Sequence, residues 1–154
     1  MTNIFKLIIS IIIPQVVGGL GALVTISSVQ SWYQTINKPF FTPPSWVFGP
    51  AWTTLYLLMG IALFLIWKSN HPMKKTALWL FAIQLVLNGI WSPAFFGMES
   101  PILGLLVIVP LWIMIVVCIR VFFPINKIAS YLMVPYLLWV SFATALNAGI
   151  WYLN

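Results

Sequence analysis

The chain is predicted to be an all-α integral membrane protein, a bundle of five transmembrane helices with a long first extramembrane loop acting as a lid. Charged residues are 5% of the 154 and hydrophobic residues 62%, where a water-soluble domain carries about a quarter charged residues. The seven basic residues and single acid fall between apolar stretches of about 20 residues, the helical length that crosses a hydrocarbon core about 30 Å thick. Barrel strands would need alternating segments of about 10 residues, and the chain lacks them. Residues 1–154 therefore read as one membrane domain, with no room for a separate soluble one.

The first span is expected over residues 5–26. Lys6 followed by an apolar run has the look of a secretory leader. The run continues past Pro14 with no small-x-small cleavage site, so a retained helix is expected. Gly18 and Ala22 form a small-x-x-x-small pair that serves helix packing within the chain or between copies. Spans two to five are expected over residues 46–67, 76–96, 102–122 and 128–151, joined by short polar turns. Pro50 belongs to the first turn of its helix, where proline is tolerated. Pro14, Pro93, Pro110 and Pro135 fall inside the other spans and are expected to kink them.

One connection is long. Residues 27–45 read SSVQSWYQTINKPFFTPPS, too aromatic for a disordered linker. Ser28 or Ser31 is expected to cap a short helix ending near Asn37, with Pro39, Pro43 and Pro44 stiffening the return. The segment fits two descriptions: aromatics resting at headgroup depth, or a lid over the mouth of the bundle.

Basic residues set the expected topology. Lys6, Lys68, Lys74, Lys75, Arg120 and Lys127 flank the spans on one side, and Lys38 alone, with Glu99, on the other. The positive-inside rule puts the N-terminus in the cytoplasm and the long loop and C-terminus outside. The pI near 9.8 reflects this topology; the charges form no patch for nucleic acid. Cys118 is the only cysteine, so no internal disulfide can form.

Polar residues within the spans should face the bundle. Gln84, Asn88 and Ser92 recur at spacings of four, flanked by Trp91 and Phe95. Trp139, Ala143, Leu146 and Asn147 share a face of the fifth span, and Phe48, Trp52, Tyr56, Met59 and Leu63 one of the second. Gln15, Gly19 and Ala22 lie on the first. These faces either line an aromatic cavity for a flat, largely apolar ligand or pack the helices, with the amides as interhelical glue; Gln15 is assigned to glue. Trp46, Trp67 and Trp151 fit an interfacial belt. Trp139 lies mid-span and Trp52 about two turns in, roughly 9 Å by helical rise, so both favour a pocket.

Enzyme signatures are nearly absent. Glu99 is the only acid and His71 the only histidine; no metal cluster and no paired carboxylates are expected. Hydrolysis, phosphoryl transfer and carboxylate-coupled pumping are thereby disfavoured.

The run Lys38-Pro39 then Pro43-Pro44-Ser45-Trp46-Val47-Phe48-Gly49-Pro50-Ala51-Trp52-Thr53-Thr54-Leu55-Tyr56 resembles the signature of the translocator protein / tryptophan-rich sensory protein family (TspO/MBR). Gln84-Leu85, Asn88 and Trp91-Ser92 continue the likeness, as do Pro135-Tyr136, Trp139, Phe142-Ala143 and Leu146-Asn147. The resemblance covers nearly the whole chain and is to a bacterial-type member, implying a multi-pass protein of the bacterial cell membrane. It implies a five-helix bundle, usually a homodimer, that binds porphyrins such as protoporphyrin IX and haem, and benzodiazepine-site ligands. No covalent cofactor is implied; the porphyrin is ligand or substrate. The pocket would use Trp32 and Tyr33 from the lid with Trp52, Asn88, Trp139, Ala143 and Asn147. If porphyrin is broken down with light and oxygen, as credited to some bacterial members, Trp52 and Trp139 are the catalytic candidates. A non-catalytic sensor or scavenger and a transporter of tetrapyrroles or other lipophiles are the alternatives. Transport has least support, because no internal repeat or intramembrane charge couples a gradient. Cholesterol recognition is doubtful, since no basic residue follows Tyr152 as the mammalian motif requires, and such motifs are weak.

Overall fold

In the computed structural model, which describes residues 2–154, α1 (Asn3–Val29) runs unbroken through Pro14. A one-turn helix, α2 (Trp32–Thr35), sits in the long loop. A 3-10 turn, Ser45–Val47, leads into α3 (Phe48–Trp67). Helix α4 (Lys74–Ser92) passes into a π-helical turn, Pro93–Gly97. Then come α5 (Pro101–Ile125), α6 (Lys127–Leu132) and α7 (Val134–Leu153). Five units are long and apolar enough to cross a membrane: Asn3–Val29, Ser45–Trp67, Lys74–Gly97, Pro101–Ile125 and Lys127–Leu153. Each contains its predicted span with at most a turn added at either end. No strand occurs among the described residues.

Local chemistry explains the boundaries. Ser100 caps α5 by accepting from the Leu103 amide at 3.3 Å, ahead of Pro101 in the first turn, where its missing N–H costs nothing. Asn126 caps α6 through the Ala129 amide at 3.0 Å. The expected serine cap on the loop helix does not form. Ser31 holds the N-cap position, but its hydroxyl donates back to the Ser27 carbonyl at 2.8 Å, and the Ser28 hydroxyl is buried without a partner.

The prolines depart from a uniform set of kinks. Pro14 and Pro110 lie within continuous helices. Pro93 opens the π-helical turn, an arrangement that absorbs a missing i→i−4 bond. The fifth span breaks at Met133, with Pro135 in the first turn of α7.

That break shapes the interior. Helix α6 packs closely on α3, whereas α7 beyond the break touches α3 only sparsely. Between them the core is dense: Met59, Ala62 and Ile66 of α3, Ile108, Leu111 and Ile115 of α5, and Met133, Tyr136 and Val140 are buried. Helix α1 is peripheral, packing on α3 and α4 with only Ser10, Pro14 and Ser28 buried. Gly18 serves internal packing: a Cβ there would lie 2.1 Å from the Tyr56 ring.

Candidate functional site

Toward the loop face, where α7 parts from α3, the bundle encloses a cavity of about 530 Å³ bounded by α1, α3, α4, α7 and the loop helix. That volume lies within the range of small-molecule sites, about 300–1,000 Å³. Its walls bring together Tyr33, Phe48, Trp52, Tyr56, Asn88, Trp91, Trp139, Ala143, Leu146 and Asn147.

Trp52 is the hub. It stacks on Tyr56 with centroids 5.5 Å apart and planes at 24°, and lies 6.4 Å from Trp91, 6.3 Å from Tyr136 and 6.4 Å from Trp139. These separations fall within the range of favourable aromatic pairs. Phe48 meets Trp139 edge-on at 6.0 Å. Trp91 in turn stacks on Phe95 at 5.5 Å, and Phe95 meets Phe96 at 4.7 Å.

Below the aromatics runs an uncharged hydrogen-bond chain. The Tyr56 hydroxyl donates to Asn88 Oδ1 at 2.8 Å, and Asn88 Nδ2 donates to the Tyr136 hydroxyl at 2.8 Å. The Tyr136 hydroxyl donates to Gln84 Oε1 at 3.0 Å. The amide of Gln84 points its Nε2 at Met59 Sδ, 3.9 Å away. A second chain starts at Trp91, whose indole N–H donates to Asn147 Oδ1 at 3.2 Å, while Asn147 Nδ2 donates to the Pro101 carbonyl at 2.7 Å. The amides thus join helices α3, α4, α5 and α7, and Asn88 and Asn147 also border the cavity. Buried polar groups with partners are tolerated in hydrocarbon; orphans are costly. Trp139 lines the cavity, and its indole N–H is buried without a partner.

Two expected ligand contacts stand away from the cavity. Gln84 is fully buried one turn below Asn88, within the polar chain. Trp32 turns from Tyr33 and packs edge-on against Phe95 at 5.6 Å. Tyr33 is buried at the roof, tilted on Phe96 at 5.6 Å, and that burial raises its phenol pKa. Lys38 lies over the Tyr33 ring at 4.8 Å, and its ammonium also donates to the Tyr33 carbonyl.

Ile150, Phe96 and Trp46 also line the cavity. Ile150 follows Leu146 and Asn147 at helical spacing and was legible on that ground. Trp46 is 75% exposed at a span end, as a belt residue would be, yet it borders the cavity too. Gln15 ties α1 to α3 through its Nε2 donor on the Thr53 carbonyl at 3.1 Å, as glue would. Among the described residues no three His, Cys, Asp or Glu side chains gather at one place.

Fold and site together define a multi-pass membrane protein with an aromatic cavity under a loop. The chain belongs to the TspO/MBR family, whose model matches residues 10–153. It is 45% identical over 152 residues to the tryptophan-rich protein TspO of Archaeoglobus fulgidus, covering 99% of each chain. With the tryptophan-rich protein TspO of Chlorobaculum tepidum it shares 47% over 142 residues, 90% of this chain and 89% of the relative. The translocator protein of Bos taurus is 35% identical over 143 residues, 91% of this chain and 85% of the relative.

Proposed function

We propose that the chain is a membrane receptor for porphyrins, protoporphyrin IX and haem among them, and for flat apolar ligands of the benzodiazepine-site type. The observation that carries the reading is the cavity walled by Trp52, Tyr56, Trp91 and Trp139. A tetrapyrrole offers a wide π-surface to the rings. Stacking supplies affinity at low entropic cost. Relatives named for sensing and for translocation accord with a ligand-binding role.

A second reading adds chemistry, and the hub position of Trp52 favours it. An illuminated porphyrin takes one electron from an indole of Trp52 or Trp139. The reduced porphyrin passes that electron to dioxygen, forming superoxide, and a second porphyrin electron refills the indole. On balance the porphyrin is oxidised and dioxygen reduced. The protein supplies position and excludes water. We read the lysine-rich face as cytoplasmic and the loop face as extracytoplasmic.

Titration of protoporphyrin IX into purified protein, followed by absorbance and fluorescence in darkness and then under light, tests both readings. Saturable binding in darkness supports the receptor; no binding contradicts it. An oxygen-requiring coloured product that slows in Trp52→Phe and Trp139→Phe supports turnover. Decay equal to that of free porphyrin removes it.

A further inference from the structure

The cavity has two sides on which a ligand could arrive, and they differ. The water side is roofed: Tyr33 is buried against Phe96, Lys38 holds the Tyr33 carbonyl, and Asn37 is bonded to Asn154. The membrane side, between α1 and α3, is pinned shut only in its lower half. There a Cβ on Gly60 would lie 2.7 Å from the Ile11 Cα, and one on Gly18 would strike Tyr56. Gln15 bonds the Thr53 carbonyl within this seam. Toward the loop, residues of both helices stand exposed beside the cavity. Gly19, Ala22 and Ile26 of α1 line the cavity yet are exposed, as are Trp46, Gly49 and Thr53 across the gap. A Cβ built on Gly19 or Gly49 meets nothing within 4 Å, so both glycines border open space. None of the six is charged, and in a bilayer this gap faces acyl chains.

We propose that ligands reach the cavity sideways from the hydrocarbon of the leaflet on the loop face, through a portal between α1 and α3 framed by Gly19, Ala22 and Ile26 on one side and Trp46, Gly49 and Thr53 on the other. This rests on the reading of the cavity as a ligand site. It selects ligands by lipid solubility before any contact with Trp52 or Trp139, and it leaves the loop as a seal against water. A flat molecule passes edge-on between the two helices at Gly19 and Gly49, where neither carries a side chain.

The test uses the full chain in lipid nanodiscs, with protoporphyrin IX as probe and tryptophan quenching followed by stopped flow. Gly19→Phe and Gly49→Phe place a ring in the gap without a clash at the Cβ position. A narrowed passage raises the barrier in both directions, so association and dissociation slow together, by about tenfold in each variant. Asn154→Ala, which loosens the roof, leaves both rates within about twofold of the parent. Parental rates in both phenylalanine variants, with acceleration in Asn154→Ala, overturn the portal and assign passage to the loop. Absence of equilibrium quenching in the unmodified protein overturns the ligand site itself and the portal with it; intact quenching with unchanged rates overturns the portal alone. Circular dichroism and gel filtration of each variant establish folding. Should a phenylalanine variant misfold, Ala22→Phe carries the same prediction from the next turn of α1.

Discussion

Asn37 and Asn154, 117 positions apart, grip one another by two hydrogen bonds. The Asn37 amide donates to Asn154 Oδ1 at 2.9 Å, and Asn154 Nδ2 donates to the Asn37 carbonyl at 2.9 Å. Asn37 Nδ2 adds a 3.3 Å bond to the Leu153 carbonyl. The return limb of the loop is thereby fixed to the end of α7, while its outward limb presents Tyr33 to the cavity. Pro39 lies on Gly149, where a Cβ would come within 2.4 Å of the proline ring.

Asn154→Ala removes the two side-chain bonds of this clasp. At about 0.5–1.5 kcal/mol for each hydrogen bond, local opening of the loop becomes more frequent by about tenfold. Hydrogen exchange read by mass spectrometry should quicken across residues 30–44 and stay unchanged in α3 and α5. Unchanged loop protection contradicts the clasp.

Tyr136→Phe breaks the polar chain at its branch point. Asn88 Nδ2 and Gln84 Oε1 each lose the partner they have now. A buried group left unpaired costs about 1–3 kcal/mol, so the melting temperature in detergent should fall by several degrees. An unaltered melting temperature means the chain contributes no stability.

Gly60→Ala and Gly19→Ala make an opposed pair in two membrane helices. At Gly60 the new methyl meets Ile11 Cα and the Ser10 carbonyl, backbone atoms that cannot swing aside; a loss of about 1–3 kcal/mol is expected. At Gly19 it meets nothing, and helix propensity gains about 0.5–1 kcal/mol. Thermal melts of the two should shift in opposite directions.

The helices were legible because lipid imposes one simple requirement, a run of apolar residues of fixed length, which the charges at Lys68–Lys75 and Arg120–Lys127 punctuate. The break at Met133 falls just before Pro135, which the sequence marked as an interruption of this span; the packing of α6 on α3 was not legible, because both halves of the span are apolar. The cavity walls were legible as helical stripes, since Trp139, Ala143 and Asn147 must share a face whatever the neighbours are. Depth along a stripe was less legible. Gln84 and Asn88 have identical spacing credentials, yet the floor falls between them because Tyr136 reaches both. Trp32 and Tyr33 are adjacent, and a single helical turn sends one to Phe95 and the other to the roof. The absence of any large residue at Gly19 and Gly49 reads as helix packing in the sequence and as a gap only in three dimensions.

Ala143 offers the most direct test of the central claim, that the aromatic cavity itself holds the ligand. It is buried at the cavity wall beside Trp139, so Ala143→Trp fills the space without adding charge. Equilibrium titration of protoporphyrin IX into nanodisc-embedded protein should give saturable tryptophan quenching for the parent and none for a folded Ala143→Trp variant. Equal quenching in the two would place the porphyrin elsewhere on the protein and contradict the account.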